Sequence, residues 1–212
     1  MLSVVIPALN AAAHIGACLD ALAGADVVVV DGGSSDGTPE IAKGARIISS
    51  PSGRGIQLAA GAAEARGDWL LFVHADTRLS PGWRAVVDAH MASHTGPACF
   101  RFRLDASEWQ ARVVEAGVAA RVRLFGLPYG DQGLLVSRAT YEAVGGYRPL
   151  PLMEDVDLVR RLGRVRVLDA DAVTSAERWR RDGWVRRSAR NLSILTLHRL
   201  GVAPERLERL YG

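Results

Sequence analysis

The stretch DVVVV, residues 26–30, constrains the fold more than any other part of the chain. Four valines in succession leave no polar alternation, so a strand built from them is covered on both faces. Sheets covered on both faces are mostly parallel, because each crossover lays a helix against them. Asp31 follows the valines directly and opens the glycine-rich DGGSSDGT. That places a carboxylate at a strand's carboxyl end, where open α/β sheets bind ligands. Neighbouring segments repeat the pattern. LSVVI (2–6) forms a strand that Pro7 ends, and residues 12–22 carry Ile15, Leu19 and Leu22 on one helical face. A short helix is expected at 39–43, a strand at 46–49, an alanine-rich helix at 55–66 and a strand at 68–73. This βαβαβαβ order predicts a doubly wound α/β sheet.

The second half is less regular. Strands are expected at 98–104, 133–136 and 165–168, and helices at 108–124, 153–162, 183–200 and 204–211. Ser137 is suited to cap a further helix that ends near Gly145 and Gly146. No repeat or linker interrupts the chain, so one domain over 1–212 is expected, with 49% hydrophobic residues to fill its core. The net charge is +3, with Lys43 the only lysine, and the arginine excess lies late, within 160–209. Such a tail can meet phosphates, nucleic acid or an anionic membrane surface, or be a solvated helix face. No aromatic–basic interleaving of a known nucleic-acid module occurs, so no nucleic-acid partner is expected. No run of about 20 apolar residues predicts a membrane span, and no basic, apolar leader opens the chain. Cys18 and Cys99 lie far apart without CxxC spacing, as suits a reducing cytoplasm.

Several residues at strand ends have the chemistry of a site. Asp31 is suited to accept hydrogen bonds from a ribose or base edge, whereas Asp36 is as well explained as a helix cap. The first turn, PALNAAAHIG, lacks GxGxxG, and the chain lacks GxxxxGK[ST], which removes the dinucleotide and P-loop readings. Arg54 opens the alanine-rich helix, where a guanidinium and the helix dipole suit a diphosphate; a plain surface arginine is the alternative. Asp76, in FVHADTRL, follows the most strand-like run. One aspartate suffices for Mg2+, which takes one or two protein carboxylates and completes its shell with water and phosphate. His74 adds an imidazole that Mn2+ tolerates better, or is a buried, hydrogen-bonded histidine. In MEDVDL, Glu154 and Asp155 start a helix; they either stabilise its dipole or place a carboxylate to deprotonate an attacking hydroxyl. Asp131 and Gln132, in PYGDQG, bind sugar hydroxyls or shape the turn.

The ordered series SVVIPALN, VVVDGGSSDGT, RGIQLAAGAAEARGDWLLFVHAD, GLLVSRATYEAVGGY and MEDVDLVRRL resembles the family 2 glycosyltransferases over roughly residues 2–168. The resemblance implies a GT-A fold, a Rossmann-like, mostly parallel central sheet with helices on both faces. It implies a nucleotide-binding half at about 1–95, then an acceptor half and C-terminal helices at about 96–212. It also implies transfer of a sugar from a nucleotide donor, commonly a UDP-sugar, with inversion and with Mg2+ or Mn2+ as cofactor. By the resemblance Asp155 is the general base, and Asp76, with His74 beside it, the metal site of a reduced DxD motif. Pro7, Asp31, Arg54, Asp76, Asp131, Gln132, Glu154, Arg178 and Trp179 then hold the nucleotide-sugar. The chain departs from the family at Ala11, where glutamate is common, and at Ser175, the glutamine position of the Q-x-x-R-W segment of processive members. Those members carry membrane spans; without one, single transfers are expected, with at most peripheral contact to a membrane. HADTRL, PYGDQG and PLMEDVDL are similar to a small bacterial subgroup named for arsenosugar biosynthesis or for radical-SAM and selenodomain association. A sugar-phosphate nucleotidyltransferase and an inactive nucleotide-sugar binding protein are the alternatives.

Overall fold

The computed structural model describes residues 1–211; Gly212, the last residue of the expected domain, lies outside the described residues. The chain runs β1 (Leu2–Ala8), α1 (Ala12–Ala21), β2 (Asp26–Asp31), α2 (Thr38–Ile41), β3 (Arg46–Ser49), α3 (Arg54–Glu64) and β4 (Trp69–Phe72). There follow β5 (Thr77–Leu79), α4 (Trp83–Ser93), β6 (Ala98–Asp105), α5 (Trp109–Phe125), β7 (Leu134–Ser137) and α6 (Arg138–Ala143). The last elements are α7 (Glu154–Leu162), β8 (Arg166–Ser175), α8 (Glu177–Asp182), α9 (Trp184–Arg199) and α10 (Pro204–Tyr211). The strands form one sheet of order β3-β2-β1-β4-β7-β6-β8-β5. Pairings among β1–β4 are parallel, as is β6 with β8, whereas β7 is antiparallel to both neighbours and β5 to β8.

Alternate residues of β1 show why the sheet is covered on both sides. Val4 and Ile6 pack with Ile15 and Cys18 of α1 and with Trp83 and Val87 of α4. Val5 faces the other way, toward Val28 and Val30, Leu58 and Ala62 of α3, and Leu158 of α7. Each such side chain removed from water contributes about 1.5–3 kcal/mol, an upper estimate because the unfolded chain is itself partly compact. Helix α3 lies so close to the sheet that a β-carbon on Gly61 would fall 2.3 Å from Val5 Cγ1.

Pro7 is part of β1, not its end. It pairs with Val30 of β2, and the rungs to β4 stop at Val5, so the missing N–H breaks no bond on that side. β8 extends well past the expected 165–168, and β5, α4 and α8 join the expected elements. Ser137 does cap α6, accepting from Thr140 N.

Candidate active site

The carboxyl ends of β1 and β2 are fixed from below. Gln57, on the buried face of α3, donates to Ala8 O at 2.8 Å and to Val30 O at 2.9 Å. Asp31 then turns its carboxylate back on its own loop, accepting from Gly33 N and Ser34 N. The loops after β1 and β2 are laced together. Asn10 N donates to Ser34 Oγ and Asn10 Oδ1 accepts from Ser35 N, while Ala11 N and Ala12 N donate to Thr38 Oγ1 and Asp36 Oδ2. Asp36 therefore caps two helices, since it also accepts from Thr38 N.

A second group of acids gathers where β4 ends. Asp76 O accepts from Ser175 N at 3.1 Å, and Asp131 O accepts from Thr174 Oγ1 at 3.3 Å, so adjacent residues of β8 hold both acids. Asp131 sits on a 3-10 turn, Gly130–Gln132. Gly130 N donates to Asp155 Oδ2 at 2.8 Å, and a β-carbon on Gly130 would lie 2.5 Å from His74 Nε2. Only glycine lets the turn approach both side chains. Asp155 Oδ1 accepts from Val156 N at the start of α7. Burial lowers the His74 pKa to about 4, with Arg54 acting in the same direction, so its imidazole is neutral at pH 7. Burial raises Asp131 to about 6, with Asp155 and Asp76 adding like charge against Arg121.

Two chambers meet at this edge. One, of 560 Å³, is lined by Pro7, Asn10, Gly53, Gln57 and Leu150 among others. The other, narrow at 140 Å³, is lined by Tyr129, Asp131, Asp155, Trp179, Asn191 and others. Arg54, His74, Asp76, Ser175 and Arg178 belong to both walls. The structure thus brings together Pro7, Arg54, His74, Asp76, Asp131, Asp155, Arg178 and Trp179. Trp179 stacks on Trp184 at 5.8 Å and carries Arg187 over its ring.

Three expected residues lie outside both walls. Asp31 is buried in its loop. Glu154 is wholly buried and forms an ion pair with Arg54, with burial, more than Asp155, raising its pKa. Gln132 points the other way: it donates to Phe100 O at 3.1 Å and lines a separate hollow of 1120 Å³ between α5 and β6. Sequence reasoning missed Gln57 and Gly130. Gln57 was signalled only as the one amide in an alanine-rich helix, and Gly130 only as a glycine beside an acid.

Oδ1 of Asp76 and Oδ1 of Asp131 are shut off from solvent and lack a hydrogen-bond partner among the described residues. A divalent hard cation takes oxygen ligands of this kind, so the residues fit Mg2+ or Mn2+. Among the described residues, no three His, Cys, Asp or Glu side chains are grouped so that they could hold a metal ion.

The sheet order and the acids at its carboxyl edge define the class as a GT-A fold. A family model described as glycosyl transferase family 2 matches residues 3–116, just over half of the chain, and the chain belongs to that family. PGL/p-HBAD biosynthesis glycosyltransferases of Mycobacterium tuberculosis and Mycobacterium bovis are 42% identical over 93 residues, covering 37% of this chain and 36% of theirs. The match therefore spans about a third of the curated relatives' length. Mannosyltransferase PcManGT from Pyrobaculum calidifontis, solved with GDP-Man and Mn2+, superposes with a TM-score of 0.63 at 18% identity, over 99% of this chain and 67% of that one. S. aureus TarS 1-349 gives 0.61 at 16% identity, over 99% and 70%. Mannosyl-3-phosphoglycerate synthase from Rubrobacter xylanophilus gives 0.57 at 20%, over 95% and 75%. These three likenesses are of fold.

Proposed function

We propose that the chain transfers a sugar from a nucleotide-sugar to an acceptor hydroxyl by a single displacement that inverts the anomeric carbon. The observation that supports this best is the pair of chambers that share Asp76, with Asp155 lining only the narrow one. The wider chamber takes the nucleotide and diphosphate, held by the laced loops after β1 and β2 and by the guanidinium groups of Arg54 and Arg178. The acceptor enters the narrow chamber. Asp155 takes the hydroxyl proton as that oxygen attacks the anomeric carbon, and the carbon–oxygen bond to phosphate breaks with its electron pair on the nucleoside diphosphate. Both Asp155 oxygens accept backbone N–H bonds, which fixes the carboxylate's direction while leaving lone pairs for the proton. Trp179 offers an aromatic wall to the sugar.

Asp76, with His74 beside it, would hold Mg2+ or Mn2+, which when bound offsets the charge of the departing diphosphate. In this division of labour about residues 1–95 supply most of the nucleotide's wall, with Arg178 reaching in from the remainder, which takes the acceptor. The likeness of HADTRL, PYGDQG and PLMEDVDL to the subgroup named for arsenosugar biosynthesis or radical-SAM and selenodomain association supports a kinship with it. We place the reaction in the cytoplasm, where Cys18 and Cys99 stay reduced; both are buried, and burial pushes each thiol up to about 12. Among the described residues, no helix is long and apolar enough to cross a membrane.

The test is thermal unfolding with UDP-, GDP- and dTDP-sugars, with and without Mn2+. A donor at about 100 times its Kd stabilises the folded state by about 2.7 kcal/mol, which raises Tm by roughly 5–11 °C in a chain of this size. We expect one nucleotide class to give that shift with Mn2+ and much less without. No shift with any of them overturns the reading, and pyrophosphate release from a sugar phosphate and a nucleoside triphosphate would replace it with a nucleotidyltransferase.

A further inference from the structure

HAD leaves the reduced DxD motif one carboxylate short, and the structure supplies a candidate from far along the chain. Asp131 lies 55 residues beyond Asp76 (131 minus 76), yet both line the narrow chamber. Their backbones are tied to neighbouring residues of one strand: Thr174 Oγ1 donates to Asp131 O, and Ser175 N donates to Asp76 O. Thr77, next to Asp76, also meets Thr174 through their hydroxyls at 2.9 Å. β8 thus acts as a common rail for the two acids.

The Asp131 side chain has no structural task to explain it. Acids that shape loops in this chain accept their own loop's N–H groups, as Asp31 and Asp36 do. The turn that carries Asp131 is closed by backbone alone, with Gln132 N donating to Tyr129 O and Gly133 N to Gly130 O. Asp131 Oδ1 is instead shut away from water without a donor among the described residues, as is Asp76 Oδ1. A buried carboxylate oxygen left unpaired is costly, and two such oxygens on acids that line one small chamber call for a cation. The guanidinium groups that act on Asp131 are partly engaged elsewhere, Arg121 by Leu127 O and Gln132 Oε1 and Arg54 by Glu154.

We propose that Asp131 is the second protein carboxylate of the divalent-metal site, taking with Asp76 the place left open by His74 in the motif. The assignment rests on the glycosyltransferase reading above. Two carboxylates leave most of the coordination shell open, so the metal is held firmly only when diphosphate oxygens complete it. His74 is then a positioning residue, its ring packed on Gly130 at the foot of the turn that presents Asp131.

Metal binding is measured directly, by the EPR signal of free Mn2+ during titration with protein, at fixed UDP, GDP or dTDP and with no sugar present. Wild-type protein should withdraw Mn2+ from solution only when one of the three nucleotides is there. Asp131→Asn should weaken that uptake by about tenfold or more, while Tm without ligand is not lowered, since the change removes a disfavoured buried charge. Asp131→Cys should lose Mn2+ yet take up Cd2+ about tenfold better than Asp131→Asn, because a thiolate is a soft ligand; a purely structural Asp131 would give no such switch. Uptake by Asp131→Asn within about twofold of wild type overturns the assignment and leaves the transferase reading standing if Asp76→Asn loses uptake. No uptake by wild-type protein with any of the nucleotides defeats both.

Discussion

Asp76 and Asp155 divide the proposed reaction between them, and their surroundings make the division testable. Asp155 is aimed by Gly130 N and Val156 N into the narrow chamber. Asp155→Asn keeps the shape and one of the two accepting oxygens but removes the base. It should lower kcat by about 10²–10⁴ while the donor's Mn2+-dependent Tm shift stays as in wild type. Asp76→Asn should abolish that shift as well as transfer. Full turnover by Asp155→Asn would remove it as the base. Both acids stand out in the sequence because each is an acid at the edge of a regular element. The partnership of Arg54 with Glu154 was not legible, since it joins residues 100 apart and depends on how α3 and α7 pack.

At the scale of elements, α1 shows how a loop's side chain replaces a missing cap. Ala11 has no side-chain oxygen to receive the first N–H groups of the helix, and Asp36 from the next loop supplies one. The hydrogen bonds from Thr38 Oγ1 and then from Ala12 N hold the Asp36 carboxyl below its ordinary 3.8. A group whose folded pKa is depressed contributes stability that is complete above its unfolded value and is lost as pH falls through its folded value. Asp36→Asn should therefore be less stable than wild type at pH 6, and the gap should narrow as pH falls below about 3.8. Urea midpoints measured from pH 6 to pH 2.5 check this; a gap that does not change with pH would deny the carboxylate its part. The same scale shows what patterning reveals. β1, β2 and β4 are legible because burial on both faces demands unbroken apolar runs. The second half of β8, DADAVTS, is not, because its acids alternate with small buried alanines and ion-pair with Arg101 of β6. β5 has three residues and takes its form from β8, and α4 buries only Trp83, Val87 and His90.

Across the whole molecule, the expected division near residue 95 meets a sheet that ignores it. β4 from the first part pairs along its length with β7 from the second, Trp69 opposite Ser137 through Phe72 opposite Leu134. β5, also from the first part, forms its ladder with β8 at the far edge. The guanidinium of Arg138 then binds Ala62, Ala65 and Gly67 carbonyls beyond and within α3. Neither part can unfold without exposing strand edges of the other, and unpaired buried backbone groups are costly. We therefore expect one cooperative transition despite the two proposed roles. Trp83, buried between α1 and β4's side of the sheet, reports on the first part; Trp179 and Trp184, stacked beside the narrow chamber, report on the second. Urea unfolding of variants that keep only Trp83, or only the stacked pair, should give the same midpoint as far-UV circular dichroism. Two separated midpoints would mean that the nucleotide and acceptor parts hold their structure independently. The chamber where they meet would then be shaped by ligand rather than by the continuous sheet.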